Sequence, residues 1–70
     1  MKIILTKHAK QRMNERDISL EDIKQAIEIP DYTVSKNNKI EACKTINNKI
    51  LKIVYLRKGN FIKIITLMWR

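Results

Sequence analysis

The residues best suited to chemistry lie close together near the beginning of the chain. His8, the only histidine, is followed by Arg12 and Arg16 at intervals of four residues. On a helix this spacing places the three side chains close to one face. An arginine can bind a phosphate through two parallel hydrogen bonds, and an imidazole titrates near neutral pH, so it can act as a base or as an acid. The row therefore suits an anionic ligand.

Each member of this row also has a purely structural explanation. A histidine near the start of a helix often forms a hydrogen bond with backbone groups. The two arginines can pair with Glu15, Glu21 or Asp22, or with the C-terminal carboxylate. Such ion pairs would only hold the fold together. The sequence leaves both explanations open.

The charge of the chain is strongly unbalanced. Its 70 residues include 15 Lys+Arg and 7 Asp+Glu, which gives a formal net charge of +8. This balance predicts attraction to nucleic acid, to an acidic protein or to an anionic membrane surface, and charge alone does not choose among them. Lys36, Lys39, Lys44 and Lys49 are most simply a solvated face and turn, with contact to nucleic acid as the alternative.

Other function classes are excluded by what the sequence lacks. Cys43 is the only cysteine, so no internal disulfide can form, and one cysteine with one histidine cannot supply four zinc ligands. We therefore expect no metal and no other cofactor. With Gly59 as the only glycine, there is no glycine-rich phosphate loop. No apolar run approaches membrane-spanning length, so we expect a cytoplasmic protein without a membrane partner.

Two helices are predicted in the first half of the chain. Residues 2–6 form a β-prone run, and Thr6 can cap a helix over residues 7–16. Ser19, with an acidic residue three positions further on, forms a variant of the capping box for a second helix. Pro30 ends that helix, because proline disfavours a helical conformation in the residue before it.

Beyond the second helix, the pattern changes to an alternation of period two, which is typical of strands. Residues 32–35 form a strand or a strand entry, and further strands are predicted over residues 40–46, 49–57 and 61–69. The chain is therefore predicted to be one α+β domain, residues 1–70. Its two N-terminal helices pack on a small antiparallel sheet, in the order β-α-α-β-β-β.

Alternation in the last two strands assigns their faces. Lys52 and Lys63 mark the more solvated face. The residues predicted to lie on the helix-covered face are Leu51, Ile53, Tyr55, Ile62, Ile64, Thr66 and Met68. Because both faces are rather apolar, the sheet also suggests a protein partner or a homodimer.

A motif in the first helix carries a resemblance to a known family. The motif is Thr6-x-His8-Ala9-x-x-Arg12-Met13-x-x-Arg16-x-Ile18-Ser19. Together with Val54-Tyr55 and Ile65-Thr66-Leu67 in the last two strands, it resembles the domain-of-unknown-function 4258 family (DUF4258) over nearly the whole chain. That family usually has glycine after the second arginine, where this chain has Asp17.

The resemblance implies a class of function. The DUF4258 family is similar to the RelE/ParE toxin superfamily of small basic β-α-α-β-β-β domains. RelE-like toxins cleave mRNA without a metal ion, and ParE-like toxins inhibit gyrase. We therefore expect the toxin of a toxin–antitoxin module, a metal-independent endoribonuclease whose partners are RNA, free or on the ribosome, and an acidic or DNA-binding antitoxin. The alternative is a non-catalytic basic module that binds nucleic acid or a protein target such as gyrase.

The ribonuclease hypothesis assigns roles to particular residues. His8 would transfer a proton, while Arg12 and Arg16 would stabilise the charge of the phosphate. The further residues expected to contact nucleic acid are Lys7, Lys52, Arg57, Trp69 and Arg70. Trp69 is alternatively a core or interface residue. We expect the long C-terminal catalytic tail of RelE-like toxins to be missing or reduced to Trp69-Arg70.

Overall fold

The computed structural model describes residues 2–70, which form two helices and five strands. In chain order the elements are β1 (Lys2–Leu5), α1 (Lys7–Glu15), α2 (Leu20–Glu28), β2 (Tyr32–Lys36), β3 (Lys39–Ile46), β4 (Lys49–Lys58) and β5 (Phe61–Trp69). The predicted α+β class and the two N-terminal helices are confirmed.

The strands form one mixed sheet in the order β1-β5-β4-β3-β2. Strands β2 to β5 are joined by antiparallel pairing, whereas β1 lies parallel to β5 at the opposite edge. The sheet is therefore not purely antiparallel. A parallel pair needs a long connection, and the chain between β1 and β5, which includes both helices, supplies it. Residues 32–35, predicted as a strand or a strand entry, belong to a complete edge strand, so four strands follow the helices instead of the three in the predicted order.

Side-chain caps determine where both helices begin. The Thr6 hydroxyl accepts a hydrogen bond from the amide of Ala9 (3.0 Å), as the sequence predicts. At the start of α2, the Ser19 hydroxyl accepts from the Asp22 amide (3.0 Å), and the Asp22 carboxylate accepts from the Ser19 amide (3.1 Å). Both bonds satisfy amide groups that have no partner within a helix, so the predicted capping box is confirmed.

The turn between the helices depends on a left-handed residue. Asp17 has φ 53°, and the amide of Ile18 donates to the carbonyl of Met13 (3.0 Å). This bond and conformation define a Schellman-type helix end, in which glycine is the favoured left-handed residue. Aspartate tolerates the conformation better than most residues do. The turn therefore keeps its geometry without the glycine that the family resemblance leads us to expect.

The core lies between the helices and one face of the sheet. Helix α1 packs on β5 and β1, and α2 packs on β3 and β4. The buried residues of this core are Ala9, Ile18, Ile23, Ala26, Ile27, Ala42, Leu51, Ile53, Tyr55, Ile62, Ile64 and Leu67. The opposite side of the sheet, which carries Lys52 and Lys63, is called the open face below.

A bulge in β5 interrupts the alternation between the two faces. Val54 pairs with Thr66, but the next β4 residue, Tyr55, pairs with Ile64. Ile65 therefore has no direct partner on β4. An extra residue of this kind moves every later side chain of the strand to the other face.

The bulge overturns part of the predicted core. Thr66 and Met68 were predicted to face the helices, but the residue between them, Leu67, is fully buried in the core. Thr66 and Met68 lie on the open face and are only half-buried. The prediction is correct for Ile62 and Ile64, which precede the bulge, and wrong for the two residues that follow it. No helix that the structure describes is long and apolar enough to cross a membrane.

Candidate functional site

Two of the three residues in the predicted row lie on the solvent side of α1. His8 is exposed, and within residues 2–70 its side chain forms no hydrogen bond or ion pair with the protein. Arg12, one helical turn further on, is about one-third exposed. The imidazole and the guanidinium are therefore both accessible to a ligand approaching α1 from solvent.

The free ligand-binding capacity of Arg12 is reduced by a neighbouring carboxylate. Arg12 Nη1 lies 3.0 Å from Glu15 Oε1, and Gln11 Nε2 donates to the other carboxylate oxygen of Glu15 (3.0 Å). The hydrogen bond from Gln11, followed by that from Arg12, lowers the pKa of Glu15 below its ordinary value, so this residue stays ionised. An exposed pair of this kind contributes about 0–1 kcal/mol, so a phosphate can compete for Arg12.

The third residue of the row, Arg16, forms structural contacts. Its Nη1 donates to the carbonyl of Leu67 (2.7 Å), and the indole Nε1 of Trp69 donates to the carbonyl of Arg16 (2.8 Å). We call these two bonds together the Arg16–Trp69 clamp. The clamp satisfies a carbonyl at the C-terminal end of α1, where helices leave carbonyls without partners. The clamp fixes the end of α1 to the end of β5. The predicted contact of Arg16 or Trp69 with RNA stays a prediction.

The remaining predicted contacts are dispersed over the molecule. Lys7 is exposed at the first position of α1. Lys52 lies on the open face, where its Nζ is 3.3 Å from Glu41 Oε1. The guanidinium of Arg70 donates to the hydroxyl of Tyr32 (3.0 Å), and this bond raises the pKa of Arg70 above its ordinary value. Of these three residues, only Lys7 lies on α1 with the predicted row.

Arg57 has a different environment, at the end of the sheet where two hairpins turn. It is exposed and lines two depressions that are open to solvent. One depression, of about 320 Å³, is formed with Gly59 to Ile62, and the other, of about 390 Å³, is formed with Ser35 to Ile40. We call this surface the hairpin end; it comprises Lys2, residues 36–39 and residues 57–60.

The hairpin end brings together residues that the sequence did not group. Lys36 and Lys39 were predicted mainly as parts of a solvated face and turn, with contact to nucleic acid as the alternative. A signal was available in the sequence, because each turn is flanked by cations, Lys-Asn-Asn-Lys in the first and Arg-Lys-Gly-Asn in the second. Only the register of β3 on β4 shows that the two turns lie side by side. No group of three or more His, Cys, Asp or Glu side chains within residues 2–70 could hold a metal ion.

The fold and these surfaces define a small, strongly basic α+β domain with exposed cations on α1 and at the hairpin end. The chain belongs to the family described as "Domain of unknown function (DUF4258)", whose pattern matches residues 5–69. The match extends from the end of β1 to the last residue of β5. Comparisons with curated proteins and with solved structures gave no significant match.

Proposed function

We propose that this domain is the toxin of a toxin–antitoxin module, related to the RelE/ParE superfamily, and that it cleaves mRNA without a metal ion. The observation that supports the proposal is the exposure of His8 and Arg12 side by side on α1 of a chain with net charge +8. One group can transfer a proton and the other can bind phosphate at the same surface. The proposal also implies a cytoplasmic location, where mRNA and the ribosome are found.

The proposed chemistry uses the 2′-hydroxyl of the RNA as the nucleophile. His8 removes the proton of that hydroxyl, and the 2′-oxygen attacks the adjacent phosphorus. The bond to the 5′-oxygen breaks, and this oxygen takes a proton from solvent, leaving a 2′,3′-cyclic phosphate and a 5′-hydroxyl. Arg12 stabilises the negative charge that builds up on the phosphate oxygens during attack. To do so it exchanges its surface pair with Glu15 for the phosphate.

Arg16 enters this proposal as a positioning residue. Its side chain and its carbonyl are both engaged in the Arg16–Trp69 clamp, which fixes the C-terminal end of the helix that carries His8 and Arg12. Its effect on the reaction is therefore expected to act through the placement of α1. This assignment departs from the sequence-based one, which gives Arg16 direct contact with phosphate.

The test is an RNA cleavage assay in the presence of EDTA. The wild type is compared with His8→Ala and Arg12→Ala, and with Lys24→Ala as a control that removes an exposed helical cation from α2. Loss of a general base typically lowers the rate by about 10²–10⁴-fold, so His8→Ala is expected to be nearly inactive while the control retains its activity. Equal rates in all four proteins would remove this mechanism.

A non-catalytic binding module is the second candidate, and one observation favours it. General bases are usually oriented by a further group, whereas His8 has no such partner within residues 2–70. A binding module would bind RNA, or a protein target such as gyrase, without cleavage. Nucleic-acid binding would weaken with salt, with a slope of about −0.7 per phosphate contact on a single strand. A protein target would show weaker salt dependence and a defined stoichiometry.

The partner of a toxin provides an independent test of the biological role. Overexpression of the chain is expected to arrest growth, and co-expression of a neighbouring gene for an acidic or DNA-binding antitoxin is expected to restore it. Normal growth on overexpression, with folded protein present, would contradict the toxin proposal and leave binding to be tested by itself.

A further inference from the structure

Three segments of the chain meet at the hairpin end. Ile40 pairs with Tyr55, so the turn between β2 and β3 lies beside the last residues of β4. The turn between β4 and β5 follows directly, and the amide of Lys2 donates to the carbonyl of Asn60 (3.3 Å), which places the beginning of β1 there as well. Neighbouring strands are about 4.8 Å apart, so the centres of the two turns are separated by about 10 Å.

This end of the sheet carries uncompensated positive charge. Its cations are Lys2, Lys36, Lys39, Arg57 and Lys58. No aspartate or glutamate occurs in residues 32–40 or 55–64. The ion pairs of the described part of the chain involve other cations, namely Arg12, Lys44 and Lys52. Like charges held together without counter-charges raise the local potential and favour a bound polyanion.

Arg57 occupies the central position on this surface. It is exposed and lines both depressions, one beside each turn. A guanidinium in this position can bind one phosphate through two parallel hydrogen bonds, while the lysines on either side interact with neighbouring phosphates as point charges. The surface is open, so it suits the backbone of a chain better than an enclosed small molecule.

The chemistry of the turn tips favours a nucleic acid over a lipid membrane. Surfaces that insert into a membrane combine cations with large apolar side chains that enter the lipid. The tips of the two turns are instead polar, Asn37-Asn38 and Gly59-Asn60. The large hydrophobic residues that the structure exposes, such as Val34 and Leu20, lie outside both tips.

We propose that the hairpin end is a second phosphate-binding surface, on which Arg57 and the flanking lysines bind the backbone of single-stranded RNA. The surface binds RNA and is separate from the α1 row, to which cleavage was assigned. This inference rests on the proposed function only in naming RNA as the polymer that binds. A strand held at the hairpin end would add affinity that does not depend on His8.

The test measures RNA affinity as a function of salt. The probe is a fluorescent 2′-O-methyl oligouridylate of about 12 nucleotides, which lacks the attacking hydroxyl and is within the usual site size of such surfaces. Arg57→Gln and Lys36→Gln/Lys39→Gln are compared with the wild type, and Lys24→Gln on α2 is the control that removes the same charge as Arg57→Gln. All four positions are exposed, and unchanged circular dichroism melting would show that the variants fold.

The expected effects follow from counterion release. Each lost phosphate contact reduces the salt slope by about 0.7, which corresponds to about fivefold weaker binding at about 0.1 M salt. Arg57→Gln is therefore expected to lose about fivefold, and the double variant about 25-fold if both lysines contact phosphate. Lys24→Gln is expected to change affinity by less than about twofold, because its charge is screened from a distant site.

The outcomes separate this inference from the cleavage proposal. Wild-type affinity in both hairpin-end variants would overturn the inference and leave cleavage by His8 untouched. Absence of RNA binding by the wild type would overturn both. Two further arms test the ligand: tighter binding of a duplex of the same length would overturn the assignment to a single strand. The second arm uses phosphatidylserine vesicles. If the variants bind these vesicles more weakly than the wild type does but bind RNA equally well, the assignment to nucleic acid is overturned.

Discussion

Replacing Arg16 by methionine tests whether this residue holds the fold or contacts the ligand. The substitution keeps the unbranched apolar stem and removes the guanidinium, so the bond to the Leu67 carbonyl is lost. A matched variant, Arg12→Met, removes the same group from the same helix, where it pairs only with Glu15 at the surface. The two variants therefore have equal charge and differ in what the guanidinium contacts.

The structure gives different magnitudes for the two changes. A hydrogen bond from a charged group contributes about 1.5–3 kcal/mol, and partial exposure of Arg16 places the expected loss near the lower end, about 1–2 kcal/mol. An exposed i,i+3 pair such as Arg12 with Glu15 contributes much less than such a bond, because solvent screens it. A domain of this size has a total stability of about 3–5 kcal/mol, so both variants remain folded in dilute buffer.

Urea unfolding followed by tryptophan fluorescence measures the difference. Trp69 is the only tryptophan, and because its indole is part of the clamp, its emission reports on this region directly. With a slope of about 1 kcal/mol per molar urea, Arg16→Met is expected to lower the midpoint by about 1–2 M, and Arg12→Met by less than about 0.5 M. Far-ultraviolet circular dichroism should give the same midpoints if unfolding is two-state.

The same two proteins are then compared for RNA cleavage per folded molecule. Arg12→Met is expected to lose activity, whereas Arg16→Met is expected to retain most of it at low temperature. The argument would be refuted if Arg16→Met left the midpoint unchanged, or if both variants shifted it equally. An unchanged midpoint with lost cleavage would return Arg16 to the direct phosphate contact that the helical spacing predicts.

Three further substitutions test other parts of the structure. Asp17→Gly is expected to raise the free energy of unfolding by about 0.5 kcal/mol, because glycine adopts the left-handed conformation without strain. This gain corresponds to a melting temperature higher by about 2–4 °C. An unchanged or lower melting temperature would argue against strain at this turn. Leu67→Ala is expected to cost about 2–5 kcal/mol in urea unfolding and Met68→Ala clearly less, whereas the reverse order would contradict the bulge. The amide of Thr45 donates to Asp31 (2.8 Å), and this bond holds the pKa of the Asp31 carboxyl below its ordinary value. The bond therefore contributes to folding stability above about pH 4, and this contribution is lost as pH falls through the lowered pKa. Asp31→Asn should therefore be less stable than wild type at neutral pH. In acid titrations of unfolding the difference should disappear as pH falls through the lowered pKa of Asp31, and a difference independent of pH would exclude the charge as the cause.

The parts of the fold that the sequence predicted depend on residues close together in the chain. The cap at Thr6 and the capping box at Ser19 each involve bonds over three residues, and their residue types are specific. The bulge at Ile65 was not predictable, because it is defined by the partner strand and leaves no special residue type in the sequence. The face of Leu67 was therefore missed even though the strand itself was found.

The candidate site shows the same division. The row of His8, Arg12 and Arg16 follows from helical spacing, and the structure places His8 and Arg12 on α1 and Arg16 at its C-cap. Spacing does not show that Arg16, the last residue of that row, is bound by Trp69, which lies 53 residues further along the chain. The hairpin end was missed for a related reason, since Lys39 and Arg57 become neighbours only through the register of two strands.

The parallel pair of β1 and β5 has a consequence for how the protein is made. Contacts such as that between Thr6 and Ile65 join residues 59 positions apart, and contacts this distant in sequence form slowly. A nascent chain that has not yet released residues 61–69 offers β1 no partner and lacks the strand on which most of α1 packs. The helix that carries His8 therefore reaches its final position only after synthesis of the last strand. Under the proposed function, cleavage would therefore begin only after β5 has left the ribosome.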